Sequence, residues 1–442
     1  MNPSLTSEQT RAYNVIKEGK SIFLTGPGGT GKSFLLKTIY ECIPEEAGKH
    51  VAVTALTGCA AVLLGKHAKT LHSWAGIGLA REPASTLVHK IIQMGKTKVG
   101  KPFLRWRTTD ILIIDEVSML TPELLEKLDD VARIIRNVDK PMGGLQVVFV
   151  GDFYQLPPVV KEGETSFVFE SPLWNEIVQE TVTLTKIIRQ DDPVFHAILE
   201  EARNGNLSRQ SLRLLQEKSK DKSWQDLQIR PTLLYTRRAI VDMVNDSNLN
   251  ALEGEKRTFT AKTVFEPLDR LSGLTETSPQ VRQILERLDK EGPYTPSLSL
   301  KKKAQVMLIF NMNQDHGLVN GARGVVEGFD EEGHPIVKFK NGVVCSIPPT
   351  SWISQELEGV GRKQIPLKVA YAITVHKAQG ATLDCALIDI GSSTFECGQA
   401  YVALSRVKNL SSLYVWDVEP SAFRAHPKVQ EFYRQLTAHP PS

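Results

Sequence analysis

The sequence has few of the features that define several large classes of protein. Its five cysteines are scattered over 442 residues, and none stands in a C-x-x-C pair or in a cysteine and histidine cluster with zinc-ligand spacing. These cysteines are Cys42, Cys59, Cys345, Cys385 and Cys397. The pattern argues against a disulfide scaffold or a structural zinc site and favours reduced thiols inside a cell.

Long apolar runs and a large excess of one charge are also missing. No run approaches the roughly 20 apolar residues that span a bilayer, and the first residues, MNPSLTSEQTRAY, lack the regions of a signal peptide. We therefore expect a soluble, intracellular protein with no membrane partner. The formal net charge of +3 permits a nucleic-acid partner without requiring one, because local clustering of charge attracts polyanions.

Two α/β regions account for most of the chain. Residues 1–180 alternate helical patterns with nearly continuous apolar runs, which are SIFLTG (21–26), VAVTAL (51–56), ILIID (111–115) and LQVVFVG (145–151). Such alternation predicts a parallel sheet covered by helices, with a small insertion at about 66–107. Residues 181–256 and 366–442 repeat this pattern and predict a second α/β domain. Between them, short apolar runs separated by turn signals follow residue 304, and they predict an SH3-like all-β insertion at about 257–365.

A phosphate-binding loop follows the first apolar run. GPGGTGKS (26–33) matches G-x-x-x-x-G-K-[ST] between a predicted strand and a helix. Glycines let backbone N–H groups wrap closely around phosphate, where a Cβ would obstruct them. We expect Lys32 to reach the β- and γ-phosphates and Ser33 to bind Mg²⁺, which makes ATP and Mg²⁺ the predicted cofactors.

Acidic and amide side chains follow two later strands. Asp115 ends ILIID and would hold Mg²⁺ with Ser33, while Glu116 would accept the proton of the attacking water. Gln155 lies in GDFYQLPP, where its amide would orient that water and sense the γ-phosphate. Taken alone, Gln155 could also be an ordinary exposed loop residue.

Phosphoryl transfer needs positive charge on its transition state. Arg189 in LTKIIRQDD and Arg406 in VALSRVKN are the candidates from the second domain. Their spacing alone does not separate them from surface arginines.

Taken in order, the motifs resemble those of superfamily 1 group B DNA helicases of the Pif (petite integration frequency) type, relatives of the RecD helicases. They run in family order along essentially the whole chain: TSEQ, GPGGTGKS, TALTGCAA with TLHSWAGIG, IIDEVSML, the signature-like stretch LDDVARIIRNVDKPMGGLQVVFVGDFYQLPPV, LTKIIRQDD, GLVNGARGVV, ITVHKAQGATLD and GQAYVALSRVKNL. The resemblance implies two RecA-like P-loop domains and a monomeric, DNA-stimulated ATPase. It also implies 5′ to 3′ movement on single-stranded DNA, with unwinding of tailed or forked duplexes.

The family is further associated with G-quadruplex DNA and RNA–DNA hybrids, a preference that no side-chain pattern here predicts. The compartment would be the nucleus or mitochondrion in a eukaryote and the cytoplasm in a bacterium.

The resemblance also assigns residues. Catalytic residues are Lys32, Asp115, Glu116, Gln155, Arg189 and Arg406, with both arginines acting as fingers supplied by the same chain. Gln9 would contact adenine, and the ATP-binding residues are Gln9, Gly26, Pro27, Gly28, Gly29, Thr30, Gly31, Lys32, Ser33 and Phe34. DNA contacts are Thr57, Thr70, His72 and Trp74 in the first domain and Asn320, His376 and Lys377 in the second.

Two of the DNA candidates have a second interpretation. Trp74 could be a platform on which a base stacks or a plain core tryptophan. His72 could be a hydrogen-bonded loop residue.

Two alternatives to a helicase remain open from the sequence. One is a nucleotide-switched binding protein that closes on DNA or protein without processive motion. The other is an oligomeric protein-remodelling ATPase, although such enzymes take their arginine finger from a neighbouring subunit. Hydrolysis stimulated by single-stranded DNA at low protein concentration would distinguish the three.

Overall fold

The structure is a computed structural model that describes residues 5–65, 67–78, 80–96, 102–158, 164–188, 192–227, 229–266, 273–313, 316–354, 357 and 359–438. The chain divides into two compact units. The first comprises residues 1–196, 200–206 and 424–442, and the second comprises residues 197–199 and 207–423.

A parallel six-stranded sheet forms the centre of the first unit. Its strands are β1 (Ile22–Thr25), β2 (Val51–Ala55), β3 (Lys69–Thr70), β4 (Ile111–Asp115), β5 (Gln146–Gly151) and β6 (Glu180–Thr183). Their order in space is β3-β2-β4-β5-β1-β6. Every residue of β1, β4 and β5 is buried, because helices cover both faces of the sheet, and this explains their nearly continuous apolar sequences.

The helices associated with this sheet have clear start and stop signals. They are α1 (Ser7–Lys17), α2 (Lys32–Ala47), α3 (Gly58–Leu64), α4 (Leu71–Ala75), α5 (Ala84–Lys96), α6 (Pro102–Thr108), α7 (Pro122–Arg136), α8 (Pro172–Ile177) and α9 (Pro193–Asn204). In α7, the Thr121 hydroxyl accepts the Leu124 N–H, Pro122 occupies the first turn, and Asn137 ends the helix in the left-handed conformation. The predicted insertion at about 66–107 contains β3 and the three helices α4 to α6.

The second unit combines a parallel sheet with antiparallel ones. Its strands are β7 (Thr232–Tyr235), β8 (Arg257–Thr260), β9 (Lys262–Phe265), β10 (Ser297–Leu300), β11 (Gln305–Leu308), β12 (Arg323–Phe329), β13 (Pro335–Phe339), β14 (Val344–Ser346), β15 (Thr350–Ile353), β16 (Val360–Gln364), β17 (Leu367–Val369), β18 (Ala372–Thr374), β19 (Ala386–Ile390) and β20 (Leu413–Val418). The order β18-β7-β19-β20 forms the parallel sheet. The helices are α10 (Arg209–Lys220), α11 (Arg238–Ala251), α12 (Pro279–Glu291), α13 (Val375–Ala378) and α14 (Gln399–Leu404).

All antiparallel strands except β17 lie within the predicted insertion at 257–365, and β17 follows it at Leu367–Val369. Five strands pair in the order β14-β13-β12-β11-β17, three in the order β15-β16-β9, and β10 pairs with β8. Helix α12 adds an element to the insertion that we predicted as all-β. The sequence contained a pattern that predicts this helix, because the apolar residues Val281, Ile284 and Leu285 recur at helical spacing, and all three are buried.

The last helix, α15 (Pro427–Ala438), belongs to the first unit. The Phe432 ring stacks on Phe169 with 4.2 Å between centroids, and the Tyr433 hydroxyl lies 2.7 Å from Thr25 Oγ1 at the end of β1. We predicted residues 366–442 as part of the second domain, whereas the compact units group residues 424–442 with the first.

Among the described residues, no helix has both the length and the apolar character needed to cross a bilayer. Within the described ranges, Cys42, Cys345, Cys385 and Cys397 form no disulfide.

Candidate nucleotide site and nucleic-acid interface

Three catalytic candidates follow strands that lie side by side. β4, β5 and β1 are neighbours in the sheet, and Thr25 at the end of β1 is in register with Gly151 at the end of β5. The phosphate loop, the Asp115–Glu116 pair and the Gln155 turn therefore begin at one edge. Ligands of parallel sheets bind at this carboxyl edge. The structure thus brings together residues that the sequence presents in separate motifs.

A glycine permits two of these segments to approach closely. Gly151 has φ 152°, and a Cβ at this position would lie 3.0 Å from the backbone nitrogen of Val117. A side chain here would push the Gln155 turn away from the segment that follows Asp115.

The phosphate loop surrounds the amine of its lysine. Lys32 Nζ donates to the carbonyl oxygen of Gly26 at 2.7 Å and to that of Pro27 at 2.9 Å. The Thr30 hydroxyl also donates to Pro27, at 3.0 Å. Gly31 turns the chain into α2, whose first turn adds positive potential where a phosphate would bind.

Charges around Lys32 act in opposite directions. Burial lowers the pKa of Lys32, and the negative charges of Asp152, Asp115 and Glu116 oppose this shift. Three carboxylates from two strand ends therefore surround the lysine and favour its charged form.

Gln9 connects the first helix to the phosphate loop. Its Oε1 accepts the Thr6 N–H at 3.0 Å, which completes a capping box at the start of α1. Its Nε2 donates to the Thr30 carbonyl at 3.3 Å. Gly31 has φ 84°, which favours glycine, and a Cβ there would lie 2.5 Å from Gln9 Nε2, so a side chain at this position would displace the Gln9 amide. The predicted adenine residue thus lies against the loop that binds the phosphates.

Asp115 and Glu116 are adjacent acids at the end of β4. Burial and the charge of Glu116 raise the pKa of Asp115 to about 7. Two weaker effects lower this pKa: the Glu116 N–H donates to Asp115 Oδ1 at 2.9 Å, and Lys32 is positively charged. Glu116 has φ 59°, a left-handed conformation that is uncommon outside glycine and is found preferentially at functional sites.

This edge offers oxygen donors for a metal ion. Two carboxyl groups and the exposed hydroxyl of Ser33 match the preference of Mg²⁺, and a divalent cation would favour the charged form of Asp115. The part of the chain that the structure describes contains no cluster of three or more metal-binding side chains. The few protein ligands fit Mg²⁺, because this ion keeps several of its waters and binds substrate phosphates.

Gln155 is not an exposed loop residue. Its side chain is 7% exposed, and its backbone N–H donates to the Asp152 carbonyl at 2.9 Å, which closes the turn. All residues from 151 to 158 are buried, including the two prolines.

Sequence reasoning missed a network directly behind this turn. Asp152 is fully buried and forms an ion pair with Arg203, while Tyr433 lies within hydrogen-bonding distance of Asp152 and Thr25. The signal for Asp152 was an aspartate directly after an apolar strand. Nothing in the sequence marked Arg203 or Tyr433, which lie on distant helices.

The two arginine candidates differ in what the structure describes. Arg189 lies outside the described residues, although the Ile188 N–H donates to the Gly29 carbonyl at 2.9 Å, so the chain just before Arg189 contacts the phosphate loop. Arg406 is 3% exposed, and its guanidinium donates to Val402 at 2.8 Å and to Ala381 at 3.3 Å. Arg406 is thus anchored to the segment that follows α13.

The first-unit DNA candidates have separate local functions. Thr57 and Thr70 cap α3 and α4, since their hydroxyls accept backbone N–H groups at 3.2 Å. Burial lowers the pKa of His72. Trp74 is 2% exposed and packs on Trp106 with 4.6 Å between ring centroids, so this structure shows a core tryptophan.

The second-unit DNA candidates lie near a large cavity. His376 and the exposed Lys377 follow β18 on α13, whose first turn the Thr374 hydroxyl caps. Burial lowers the pKa of His376, and Glu396 opposes this shift. The loop of Asn320 lies close by, since a Cβ on Gly321 would be 3.1 Å from the Thr382 carbonyl.

The cavity has a volume of about 680 Å³ and a lining rich in cations and amides, including Arg238, Asn245, Lys256, Lys368, His376 and Lys377. Asp242 and Asp246 also contribute to it.

A parallel sheet with a phosphate loop after its first strand, and with acidic and amide residues after the strands beside it, defines a P-loop nucleotide-binding protein. The second parallel sheet agrees with the predicted pair of RecA-like domains. Residues 4–211 match the PIF1-like helicase family, and residues 283–329 match the 2B domain of the DNA helicase Pif1. The chain belongs to the PIF1-like helicase family, which confirms the resemblance and the predicted fold class.

Relatives match almost the entire chain. The human ATP-dependent DNA helicase PIF1 is 40% identical over 439 residues, which are 98% of this chain and 64% of the human protein. This chain therefore spans less than two thirds of that relative. The crystal structure of the Pif1 helicase from Candida albicans matches with a TM-score of 0.79 and 36% identity, covering 98% of this chain and 100% of that one.

A Pif1 helicase from Bacteroides, solved with ADP-AlF3 and single-stranded DNA, matches with a TM-score of 0.67 and 27% identity over 99% of both chains.

Proposed function

We propose that this chain is an ATP-dependent DNA helicase, which couples ATP hydrolysis to movement along single-stranded DNA and separates duplex strands. One observation carries the proposal: the phosphate loop, the Asp115–Glu116 pair and the Gln155 turn lie at one edge of the first sheet. Membership of the PIF1-like helicase family supports DNA as the polymer and 5′ to 3′ as the direction.

Each residue at this edge has a distinct part in hydrolysis. Lys32 binds the β- and γ-phosphates, and the backbone N–H groups at the start of α2 bind the same oxygens. Glu116 accepts the proton of the attacking water, and Gln155 orients that water. Ser33 and Asp115 would hold Mg²⁺, which neutralises charge on the phosphates.

Arginines supply the remaining positive charge. We assign this function to Arg189 and Arg406, so that one chain carries both fingers and works as a monomer. Arg406 donates a hydrogen bond to the carbonyl of Ala381, in the segment that follows α13. Helix α13 itself carries His376 and Lys377. A change in the position of Arg406 would therefore be transmitted within the second unit to residues that contact DNA.

Single-stranded DNA would bind at the end of β18. The exposed Lys377 and the cations of the neighbouring cavity suit the phosphates of the strand. The Bacteroides relative was solved with single-stranded DNA, which supports this ligand class. Thr57, Thr70 and His72 would contribute contacts from the first unit.

The decisive experiment compares 5′-tailed and 3′-tailed duplexes, with and without ATP. We expect ATP-dependent unwinding of the 5′-tailed duplex and hydrolysis stimulated by single-stranded DNA at low protein concentration. Hydrolysis without unwinding on either substrate would instead favour a nucleotide-switched binding protein.

A matched pair of variants controls this assay. Lys32→Ala should abolish hydrolysis and unwinding, because it removes the cation of the phosphate loop. Lys37→Ala changes an exposed lysine on the same helix, which forms a surface ion pair with Glu41, and should retain both activities. Equal activity of the two variants would contradict the assignment of Lys32.

A further inference from the structure

The Gln155 turn contains a buried aspartate, Asp152, which is connected through Tyr433 to the start of the phosphate loop. Asp152 follows Gly151 at the end of β5 and precedes Gln155 in the same turn. Arg203 on α9 grips its carboxylate with two hydrogen bonds, from Nε to Oδ2 at 2.8 Å and from Nη2 to Oδ1 at 2.9 Å. A bidentate pair of this kind fixes the orientation of the carboxylate as well as its charge.

The Tyr433 hydroxyl connects this turn to the phosphate loop. It accepts the Phe153 N–H at 3.2 Å and donates to Asp152 Oδ1 at 3.3 Å, and it lies 2.7 Å from the hydroxyl of Thr25. A phenol can donate one hydrogen bond and accept two, so all three contacts are compatible when Thr25 donates. Thr25 directly precedes Gly26, the first residue of the phosphate loop. A single oxygen on α15 therefore joins the ends of β1 and β5.

Aromatic packing holds this hydroxyl and the arginine in place. The Tyr433 ring stacks on Tyr154 with 4.9 Å between centroids and 17° between planes. The Arg203 guanidinium lies 4.3 Å from the Tyr154 centroid and 5.2 Å from that of Tyr433. Stacking on both rings leaves the guanidinium little freedom to turn away from Asp152.

The charges agree with this geometry. Burial raises the pKa of Asp152, but the charge and hydrogen bonds of Arg203 outweigh it and leave the pKa below its usual value. Burial also raises the pKa of Tyr433, so its hydroxyl keeps the proton that it donates. Among the charges that favour the protonated form of Lys32, Asp152 has the largest effect.

We propose that Arg203 and Tyr433 are positioning residues for ATP hydrolysis: by holding Asp152, they fix the Gln155 turn and the phosphate loop relative to each other. This inference rests on the proposed function, because it assigns a task to the network at that same site. Stability alone does not require such a network, since well-packed apolar residues can often replace a buried ion pair without loss. Its place between two loops that contact one phosphate gives it a positional function.

The test removes one hydroxyl and keeps the ring. Tyr433→Phe loses the three contacts of the oxygen but retains the stacking on Tyr154. The matched control is Gln430→Ala, which removes a hydrogen bond of the same helix to the Asn204 carbonyl, away from Asp152. Both variants should show a similar, small fall in thermal midpoint.

Only Tyr433→Phe should slow DNA-stimulated ATP hydrolysis, by about tenfold, because small displacements of positioned groups have effects of this size or larger. Its affinity for a fluorescent ATP analogue should stay close to wild type, so that kcat falls without a matching rise in KM. Arg203→Lys, which keeps the charge and loses the bidentate grip, should behave in the same way. Equal kcat in Tyr433→Phe and Gln430→Ala would overturn the proposal.

Hydrogen–deuterium exchange provides a readout that does not depend on hydrolysis. Tyr433→Phe should increase exchange in both segments 26–33 and 151–158, and Gln430→Ala in neither. Unchanged exchange in both segments would overturn the positioning proposal, even in an active enzyme. A wild-type chain that hydrolyses no ATP would overturn the proposed function instead, and the exchange experiment would still test the network.

Discussion

The Trp74 ring, in the TLHSWAGIG segment, could bind a DNA base by stacking only if one of its faces were exposed. The side chain is 2% exposed, and its ring packs against Trp106, whose Nε1 donates to the Ala75 carbonyl at 2.9 Å. A base cannot stack on a ring whose faces are already covered. We therefore expect substitutions of Trp74 to change stability and to leave DNA affinity nearly intact.

The size of the stability change follows from the buried area. An aromatic side chain buries about 150–250 Å², which at about 25 cal/mol per Å² corresponds to about 4–6 kcal/mol. Alanine keeps a small part of this area, so Trp74→Ala should lower the free energy of unfolding of the first unit by about 3–5 kcal/mol. Trp74→Phe keeps a ring against Trp106 and should lose about half of that or less.

Urea unfolding followed by circular dichroism measures the stability, and fluorescence anisotropy without urea measures the affinity for single-stranded DNA. Trp416→Phe is a control, because Trp416 is 51% exposed and should change neither quantity. Base stacking on an aromatic ring contributes about 1–3 kcal/mol per base. A loss of that size in DNA affinity for Trp74→Ala, with its unfolding midpoint unchanged, would refute the core interpretation.

Four further predictions test other parts of the structure. Gln155→Ala should separate fewer base pairs per ATP hydrolysed, and an unchanged ratio of unwinding to phosphate release would contradict its sensing function. Arg406→Ala should bind ATP but lose turnover by about 10³-fold, and near-normal hydrolysis would remove this arginine from the site. Burial lowers the pKa of Lys69, which precedes the DNA candidate Thr70, to about 8. Lys69 loses its charge as the pH rises through that value, so affinity for single-stranded DNA, measured by fluorescence anisotropy, should fall between about pH 7 and 9. Lys69→Arg should flatten this pH profile because arginine stays charged, and identical profiles would contradict a contact of Lys69 with DNA. The segment before α15 packs closely against the end of α9, since a Cβ on Gly205 would lie 2.5 Å from the Ala425 nitrogen. Residues 1–206 joined by a short glycine linker to residues 424–442 should therefore unfold at a higher temperature than residues 1–206 alone. Equal thermal midpoints would contradict a stabilising contact of α15.

The strands of the first sheet were predictable because burial on both faces leaves a simple signature. ILIID coincides with β4, and SIFLTG contains β1 with one extra residue at each end. The positions of Asp115, which ends β4, and of the Gln155 turn, which follows β5, came from the same logic, since residues at the carboxyl ends of parallel strands lie at one edge of the sheet. Local chemistry thus predicts where each strand ends and which side chains stand there.

Long-range packing was not predictable in this way. Tyr433 contacts Thr25 across 408 positions of sequence, and no local pattern connects the two. Trp74 shows the same limit, because its motif is compatible with an exposed ring and only the packing of Trp106 determines that the ring is buried. Helix α12 differs, since its apolar spacing was visible, whereas the all-β prediction for the insertion came from short runs and turn signals that begin at residue 304.

The charges around Lys32 give a physical reason for arginine fingers that does not depend on family resemblance. The side chains whose charges act on this lysine are Arg203, Asp115, Glu116 and Asp152, so the cluster of five has two cations and three acids. Arg203 is already engaged by Asp152, and burial together with the charge of Glu116 raises the pKa of Asp115 to about 7. Such a site can accept a triphosphate only with added positive charge, and the charge that develops during phosphoryl transfer increases this requirement. Mg²⁺ would meet part of it in the ground state, so an arginine from elsewhere in the chain should act mainly on the transition state, and its loss should lower kcat rather than nucleotide affinity.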